Sequence, residues 1–224
     1  MKLEVKKKLI NRSERVKSVD LHPTLPWVLI ALYVGNVTIF DYDTQTQVRS
    51  LEITNSPVRC AKFIARKQWI IVGADDTKLR VYNYNTAEKL KTIEDHSDYI
   101  RHIVVHPTLP YVLSCSDDDT IKMFDWDKNW AKVNSFQDHE HYIMQLAINP
   151  KDPSMFASAS LDKRIKIWTV GTTKSVANYT LSGHEAGVNS IDFCRDEQKP
   201  HLVSGDDLGI VKIWDYQTRI CLYT

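Results

Sequence analysis

"IFDY" at 39–42 returns as "VYNY" (81–84), "MFDW" (123–126), "IWTV" (167–170) and "IWDY" (213–216). The aromatic in these strings falls at Phe40, Tyr82, Phe124, Trp168 and Trp214, at spacings of 42, 42, 44 and 46 residues. Other marks keep the same interval. "HPTLP" stands at 22–26 and again at 106–110, two periods apart. "IARKQ" (64–68), midway between them, lacks those letters, but Trp27, Trp69 and Tyr111 hold the spacing, as do Lys17, Arg59 and Arg101. A fixed period of this length marks a repeat architecture, and five units fit in the chain.

Each unit contains four short runs rich in β-branched or aromatic residues with near two-fold alternation. In the third unit they are "RHIVVH", "YVLSCS", "TIKMFDW" and "KVNSFQ", separated by "PTLP", "DDD" and "DKN". None leaves room for an amphipathic helix of ten residues. Four strands in about 42 residues is the blade of a β-propeller, a small twisted sheet that packs face to face with its neighbours. The expected fold is all-β, with blades over 15–53, 57–95, 99–138, 142–181 and 187–224 of one domain, 1–224. "LEVKKKLI" (3–10) aligns with later fourth strands such as "EKLKTIE", so residues 1–14 are expected to supply a strand that closes the last blade.

Composition narrows the function. The 224 residues are 43% hydrophobic and 25% charged, with a net charge of +1. No overall field draws the chain to nucleic acid or membrane, so electrostatic recognition must come from local patches. No apolar run reaches the roughly 20 residues of a membrane span, and the start lacks the apolar core of a signal peptide. Cys60, Cys115, Cys194 and Cys221 form no C-x-x-C pair and read as buried, reduced thiols of a cytosolic protein. Phosphate-loop, serine-hydrolase and zinc-protease motifs are missing, so neither enzymatic activity nor a cofactor is expected. "HEH" (139–141) is a weak metal pattern, and no metal is expected. "KKK" (6–8) and "KRIK" (163–166) read as solvated strand edges.

"SASLDKRIKIW" (158–168) and "SGDDLGIVKIWDY" (204–216), with "SGH" at 182–184, resemble WD40 repeats. In that family a His, a Ser or Thr, an Asp and a Trp hydrogen-bond within one blade. The resemblance places His139, Ser158, Asp162 and Trp168 in such a tetrad. It places His96, Ser114 and Asp118 likewise in the third blade, with Phe124 in the Trp column. In the fifth it places His184, Ser204 and Trp214, with Leu208 where the Asp is expected. The first blade has Val34 in that column. Blades lacking a member are expected to be less rigid. WD40 rings commonly have seven blades, so the five written here are expected to be a truncated ring.

Repeat columns give a map of one surface. In WD40 folds the start of the first strand and the turn after the second lie on the top face. The column opening the first strand reads Arg15, Pro57, Tyr99, Tyr142, Gly187; two places on it reads Lys17, Arg59, Arg101, Met144, Asn189. The column seven before the strand-three aromatic reads Tyr33, Asp75, Asp117, Leu161, Asp207, and Asp98 precedes Tyr99. Cations therefore gather in the first two blades and carboxylates in the second and third. Such a layout suits a short zwitterionic ligand: an Arg fork for a carboxylate, an Asp pair for an ammonium, a Tyr wall beside them. A peptide C-terminus with a lysine a few residues upstream fits it.

"RVKSVDLHPTLPWVL" (15–29), "PVRCAKFIARKQWIIVGADD" (57–76), "HSDYIRHIVVHPTLPYVLS" (96–114) and "INPKDP" (148–153) are similar to the first propeller of the beta-prime family of coatomer subunits, part of the COPI vesicle coat. The resemblance implies recognition of C-terminal dilysine retrieval signals on membrane cargo returning from Golgi to endoplasmic reticulum. It implies Arg15, Lys17 and Arg59 for the tail carboxylate, and Asp98, Asp117, Tyr33 and Tyr142 for a signal lysine. Asp75, Tyr99 and Arg101 adjoin these in the column map, and the second lysine is expected to rest on Asp206 or Asp207 or on water. Implied partners are other coatomer subunits, the alpha subunit in particular, on the cytosolic face of Golgi and vesicle membranes, and no nucleic acid. The rival reading is a general WD40 scaffold for ubiquitin or another peptide.

Overall fold

The computed structural model describes Lys8, residues 14–196 and residues 198–224. Of the leading strand expected over 1–14, only Lys8 and Glu14 are described, neither of them in a strand; the rest lies outside the described residues. The chain divides into two compact units, Met1–Glu94 and Asp95–Thr224.

Among the described residues, the first unit holds two four-stranded antiparallel sheets. One is β1 (Val16–Leu21), β2 (Trp27–Leu32), β3 (Asn36–Asp41) and β4 (Thr46–Glu52); the other is β5 (Val58–Ile64), β6 (Trp69–Ala74), β7 (Leu79–Asn83) and β8 (Lys89–Ile93). Strands pair in sequence order, as short loops between antiparallel neighbours dictate. The faces of the two sheets close over one core that includes Leu29, Val37, Ile39, Val58, Phe63, Ile70, Val72 and Tyr82. The turn between β2 and β3 requires a glycine: Gly35 has φ +96°, and a Cβ there would stand 1.8 Å from the Thr54 carbonyl oxygen.

The second unit holds three such sheets. They are β9 (Ile100–Val105) to β12 (Ala131–Phe136), β13 (Ile143–Ile148) to β16 (Tyr179–Ser182), and β17 (Val188–Phe193) to β20 (Ile220–Tyr223). The inner strands are β10 (Tyr111–Ser116) and β11 (Ile121–Asp125), β14 (Met155–Ser160) and β15 (Arg164–Thr169), and β18 (His201–Asp206) and β19 (Val211–Asp215). In the first of these sheets the middle strands are buried, and the fourth strand is half polar, as expected of a blade with its last strand at the rim. Phe136 packs edge-on against Phe156 and Trp168 between the first two of these sheets. Half-buried first-strand polar groups tie the sheets together: Leu146 N–H donates to His102 Nδ1 at 3.4 Å, and Ile191 N–H to Gln145 Oε1 at 3.0 Å. In the first unit Ala61 N–H donates to Ser18 Oγ in the same column.

The repeated "HPTLP" is a turn lock. His22 Nδ1 accepts the Leu25 N–H at 3.0 Å, which leaves its Nε2–H to donate to the Tyr84 hydroxyl at 3.2 Å. His106 accepts the Leu109 N–H at 2.9 Å and donates to the Pro153 carbonyl at 3.1 Å. Each ring thus closes its own turn and reaches the next sheet.

Two expectations change. Lys166 of "KRIK" is buried and donates to Asp138 Oδ2 at 2.7 Å, because its long side chain turns inward rather than to solvent. Cys60 and Cys115 are buried, but Cys194, just past β17, and Cys221, in the short last strand, are half-buried.

Candidate functional site: a bulge repeated in every blade

One irregularity recurs five times. In each sheet the ladder between first and second strands slips by one residue near its start. The extra residue is Lys17, Arg59, Arg101, Met144 or Asn189. A bulge re-aims the side chain it carries, so these five are set apart from the alternation of their strands. The residue just past the second strand is bonded back to the strand start each time. Tyr33 N–H donates to the Arg15 carbonyl at 2.9 Å, Asp75 to Pro57 at 2.9 Å, Asp117 to Tyr99 at 3.0 Å, Leu161 to Tyr142 at 2.9 Å and Asp207 to Gly187 at 3.0 Å. Each blade therefore presents one bulge residue beside one turn residue at the same end of its sheet.

What these pairs do differs by blade. Arg59 grips Asp75 with two donors, Nη2 lying 2.7 Å from Oδ2 and Nε bonding Oδ1. Arg101 grips Asp117 the same way, Nε lying 2.6 Å from Oδ1 and Nη2 bonding Oδ2. Asn189 Nδ2 donates to Asp207 Oδ1 at 2.5 Å. In blade four Met144 and Leu161 stand in these places, both half-buried. Arg15 lies over the Tyr33 ring at 5.5 Å, and Arg101 over Tyr142 at 5.9 Å. Tyr33, Tyr99 and Tyr142 are about two-fifths exposed, at 42%, 42% and 37%.

In the first unit, then, Arg15, Lys17, Tyr33, Arg59 and Asp75 share one end of two adjacent sheets. In the second, Asp98, Tyr99, Arg101, Asp117 and Tyr142 do so, with Asp207 on the fifth sheet. Asp75 and Asp117 are partners of arginines within their own blades, and Asp117 is only 6% exposed. Each carboxylate is thereby engaged by an arginine of its own blade. Arg101, placed in the lysine set by its column, is a cation that occupies Asp117. Asp98 is half-buried, and its Oδ1 accepts the Tyr99 N–H at 2.7 Å.

Beside this end lie the polar networks. His139 Nδ1–H donates to Asp162 at 2.6 Å, Ser158 bonds His139 Nε2 at 2.6 Å, and Trp168 Nε1–H donates to Ser158 Oγ at 2.8 Å. His96 bonds Asp118 at 2.7 Å and Ser114 at 2.8 Å, with Phe124 buried where the indole would be. Burial pushes the Asp118 carboxyl up, but the His96 bond and charge and the Thr120 hydroxyl outweigh it and hold the group well below the usual range.

Blade five corrects the sequence reading. His184 donates to Asp206 at 2.7 Å and bonds Ser204 at 2.7 Å, and Trp214 Nε1–H donates to Ser204 at 2.8 Å. Asp206, expected to take a ligand lysine, is instead the acid of a complete network. It also accepts the Leu208 and Ile210 N–H groups, each at 3.0 Å. The missing acid at Leu208 is supplied two residues earlier. Asp207 is exposed and keeps its place in the turn column.

Blade two has a network that sequence reasoning missed. Thr54 stands in the histidine column and donates to Asp76 Oδ2 at 2.7 Å, and Arg80 grips the same carboxylate at 2.7 and 3.0 Å. The Asp column of the repeat could have found it. Asp119 was also unremarked: its Oδ1 is shielded without a hydrogen-bond partner, and burial with Asp118 and Asp117 nearby raises its carboxyl, though His141 opposes the rise. No group of three or more His, Cys, Asp or Glu among the described residues is arranged to hold a metal ion.

The family model described as WD domain, G-beta repeat, matches residues 45–83, 87–125, 130–169 and 175–215. Each matched segment runs from the fourth strand of one sheet through the third strand of the next. Along its whole length the chain is 56% identical to "Coatomer subunit beta'-2" of Arabidopsis thaliana, covering 24% of that protein. It is 54% identical over 207 residues to "Coatomer subunit beta'" of Homo sapiens, covering 92% of this chain and 23% of that protein. "Putative coatomer subunit beta'-3" of Oryza sativa subsp. japonica is also 54% identical over 207 residues. The chain thus spans about a quarter of the length of the curated relatives it matches. With five four-stranded antiparallel sheets behind these matches, the chain belongs to the WD40 repeat family as a β-propeller related to coatomer beta' subunits.

Proposed function

We propose that this chain is part of a COPI coat subunit and that its bulge columns bind C-terminal dilysine signals of membrane cargo for Golgi-to-ER retrieval. Arg15, Lys17 and Arg59 take the terminal carboxylate, Arg59 being held in orientation by Asp75. Asp98, with the Tyr99 and Tyr142 rings, takes the ammonium and stem of a signal lysine, and Asp207 takes the second. Asp117 acts through its pair with Arg101. The observation that carries this reading is the recurrence of the bulge. Five equivalent side chains are re-aimed at one end of their sheets, and beside them stand Arg15 and Tyr33 in the first unit and Asp98, Tyr99, Tyr142 and Asp207 in the second.

Binding, not chemistry, is the event. Charge-assisted hydrogen bonds are worth roughly 1.5–3 kcal/mol when sheltered and about 0–1 when exposed. A few such contacts give about micromolar affinity, near −8 kcal/mol. Capture at a membrane then gains from many coats meeting many tails. Association with other coatomer subunits, the alpha subunit among them, places the propeller at the cytosolic face of the membranes that display such tails.

The test is calorimetry with a free-acid dilysine tail, its C-terminal amide, its lysine-to-alanine forms, a phosphopeptide and ubiquitin. Binding of the free acid, lost on amidation and on lysine removal, is the expected result. Equal binding of acid and amide sinks the assignment of Arg15, Lys17 and Arg59, and preference for ubiquitin or phosphopeptide supports the scaffold reading instead.

A further inference from the structure

We propose that Met144 and Leu161 form a subsite that selects a large apolar residue flanking the signal lysine. The proposal rests on the dilysine reading and adds a sequence preference to it. In four blades the bulge and turn residues are polar: Lys17 with Tyr33, Arg59 with Asp75, Arg101 with Asp117, Asn189 with Asp207. Blade four alone puts two aliphatic side chains there. They sit at the same bulge and the same backbone-bonded turn as the rest, so the same geometry aims them at the ligand end of the sheet.

Neighbouring groups define what can lie on them. Tyr142, 37% exposed, opens the strand whose bulge is Met144, and its carbonyl holds Leu161. On the other flank stands Gly187, where other blades carry Arg, Pro or Tyr. A Cβ at 187 would lie 2.6 Å from Leu161 Cδ2 and 2.9 Å from Asp207 Oδ2. The glycine therefore lets Leu161 spread across the mouth of blade five. The resulting apolar spot lies between the acidic set of blade three and Asp207 of blade five. A charged or amide side chain of the tail would find no partner on it, whereas an aliphatic or aromatic one would remove apolar surface from water. The His102–Leu146 hydrogen bond fixes blade four beside blade three, so the occupant is the residue next to the lysine that Asp98 receives.

The experiment uses the full chain and a free-acid dilysine tail with Leu or Ser at each position flanking the lysine. Leu should bind about five- to tenfold more tightly than Ser at one flanking position. In the Met144→Arg/Leu161→Asp double variant, which rebuilds the ion pair of blades two and three, that preference should vanish while discrimination of acid from amide persists. Met144→Ser alone should narrow the preference and serves if the double variant does not fold. Equal affinity for Leu and Ser at every flanking position of the wild type overturns the subsite but leaves the dilysine reading standing. Failure of the wild type to bind any tail overturns both.

Discussion

Asp206 receives the Nδ1 hydrogen of His184 at 2.7 Å from two residues after Ser204, whereas Asp118 and Asp162 stand four residues after Ser114 and Ser158. In blades three and four the place of Asp206 is held by Ser116 and Ser160, whose hydroxyls donate to the carbonyls of Asp98 and His141. Blade five gives up that bond and reaches the histidine with a carboxylate from the strand end instead. The network is therefore conserved in geometry between blades although one of its residues has moved.

Asp206→Ala should destabilise the chain as much as Asp162→Ala, and Leu208→Ala should do almost nothing. The wild-type histidine–carboxylate bond is charge-assisted and buried, worth roughly 1.5–3 kcal/mol for Asp162. Thermal unfolding of the three variants checks this. A fall in Tm for Leu208→Ala equal to that for Asp206→Ala would mean that the turn, not the network, matters.

The Arg59–Asp75 pair separates folding from recognition. Removing Arg59 leaves the Asp75 carboxylate half-buried without its arginine, at a cost of a few kcal/mol. Exchanging them, Arg59→Asp with Asp75→Arg, keeps an ion pair but turns the bulge residue anionic. Tm should stay within a few degrees of the wild type while tail affinity falls at least tenfold. Retained affinity in a folded exchange variant argues that the carboxylate rests on Arg15 and Lys17 alone.

Period and blade type were legible because a four-stranded sheet must repeat its apolar alternation and its turns at fixed places. The columns were legible for the same reason. Their partners were not. Asp75 and Asp117 looked like free acids for a ligand because a column list shows which residues share an end of a sheet, not which touch. The bulge at Arg59 and Arg101 turns each guanidinium onto the acid of its own blade. Asp206 was misread because the repeat was aligned residue by residue, and a carboxylate two residues early can still reach the same imidazole. Thr54 was missed because a hydroxyl in the histidine column carries no family letter.

Thiol reactivity should divide the cysteines two and two. Burial pushes the Cys60 thiol up to about 12, and its Sγ–H faces the Gly73 carbonyl at 3.8 Å, so almost no thiolate forms at neutral pH. Cys115 is fully buried on β10, whereas Cys194 and Cys221 are half-buried. An aromatic disulfide reagent at pH 8 should titrate two thiols in the native chain and all four in denaturant. Mass mapping that finds Cys60 modified without denaturant would show that blade two opens readily.

Acid should weaken the fold in two stages. His22 is buried with its Nδ1 committed as an acceptor, and burial holds its pKa below the ordinary value although Asp20 pulls the other way. An unfolded histidine binds its proton near pH 6.5. The stability that His22 adds is therefore complete above that pH and declines as pH falls through its lower folded value. The carboxyls of Asp118, Asp162 and Asp206 are also depressed, since the histidine bonds outweigh the upward push of burial. Their contribution is full above about pH 4 and is lost below it. Denaturant unfolding at pH 7.5, 5.5, 4.0 and 3.0 should show a shallow loss first and a steep one last. Asn149 holds the corresponding turn in blade four, its Oδ1 accepting the Lys151 N–H at 3.0 Å, so His22→Asn should remove the first stage and leave the second. A first stage of unchanged size in that variant would assign it to another group.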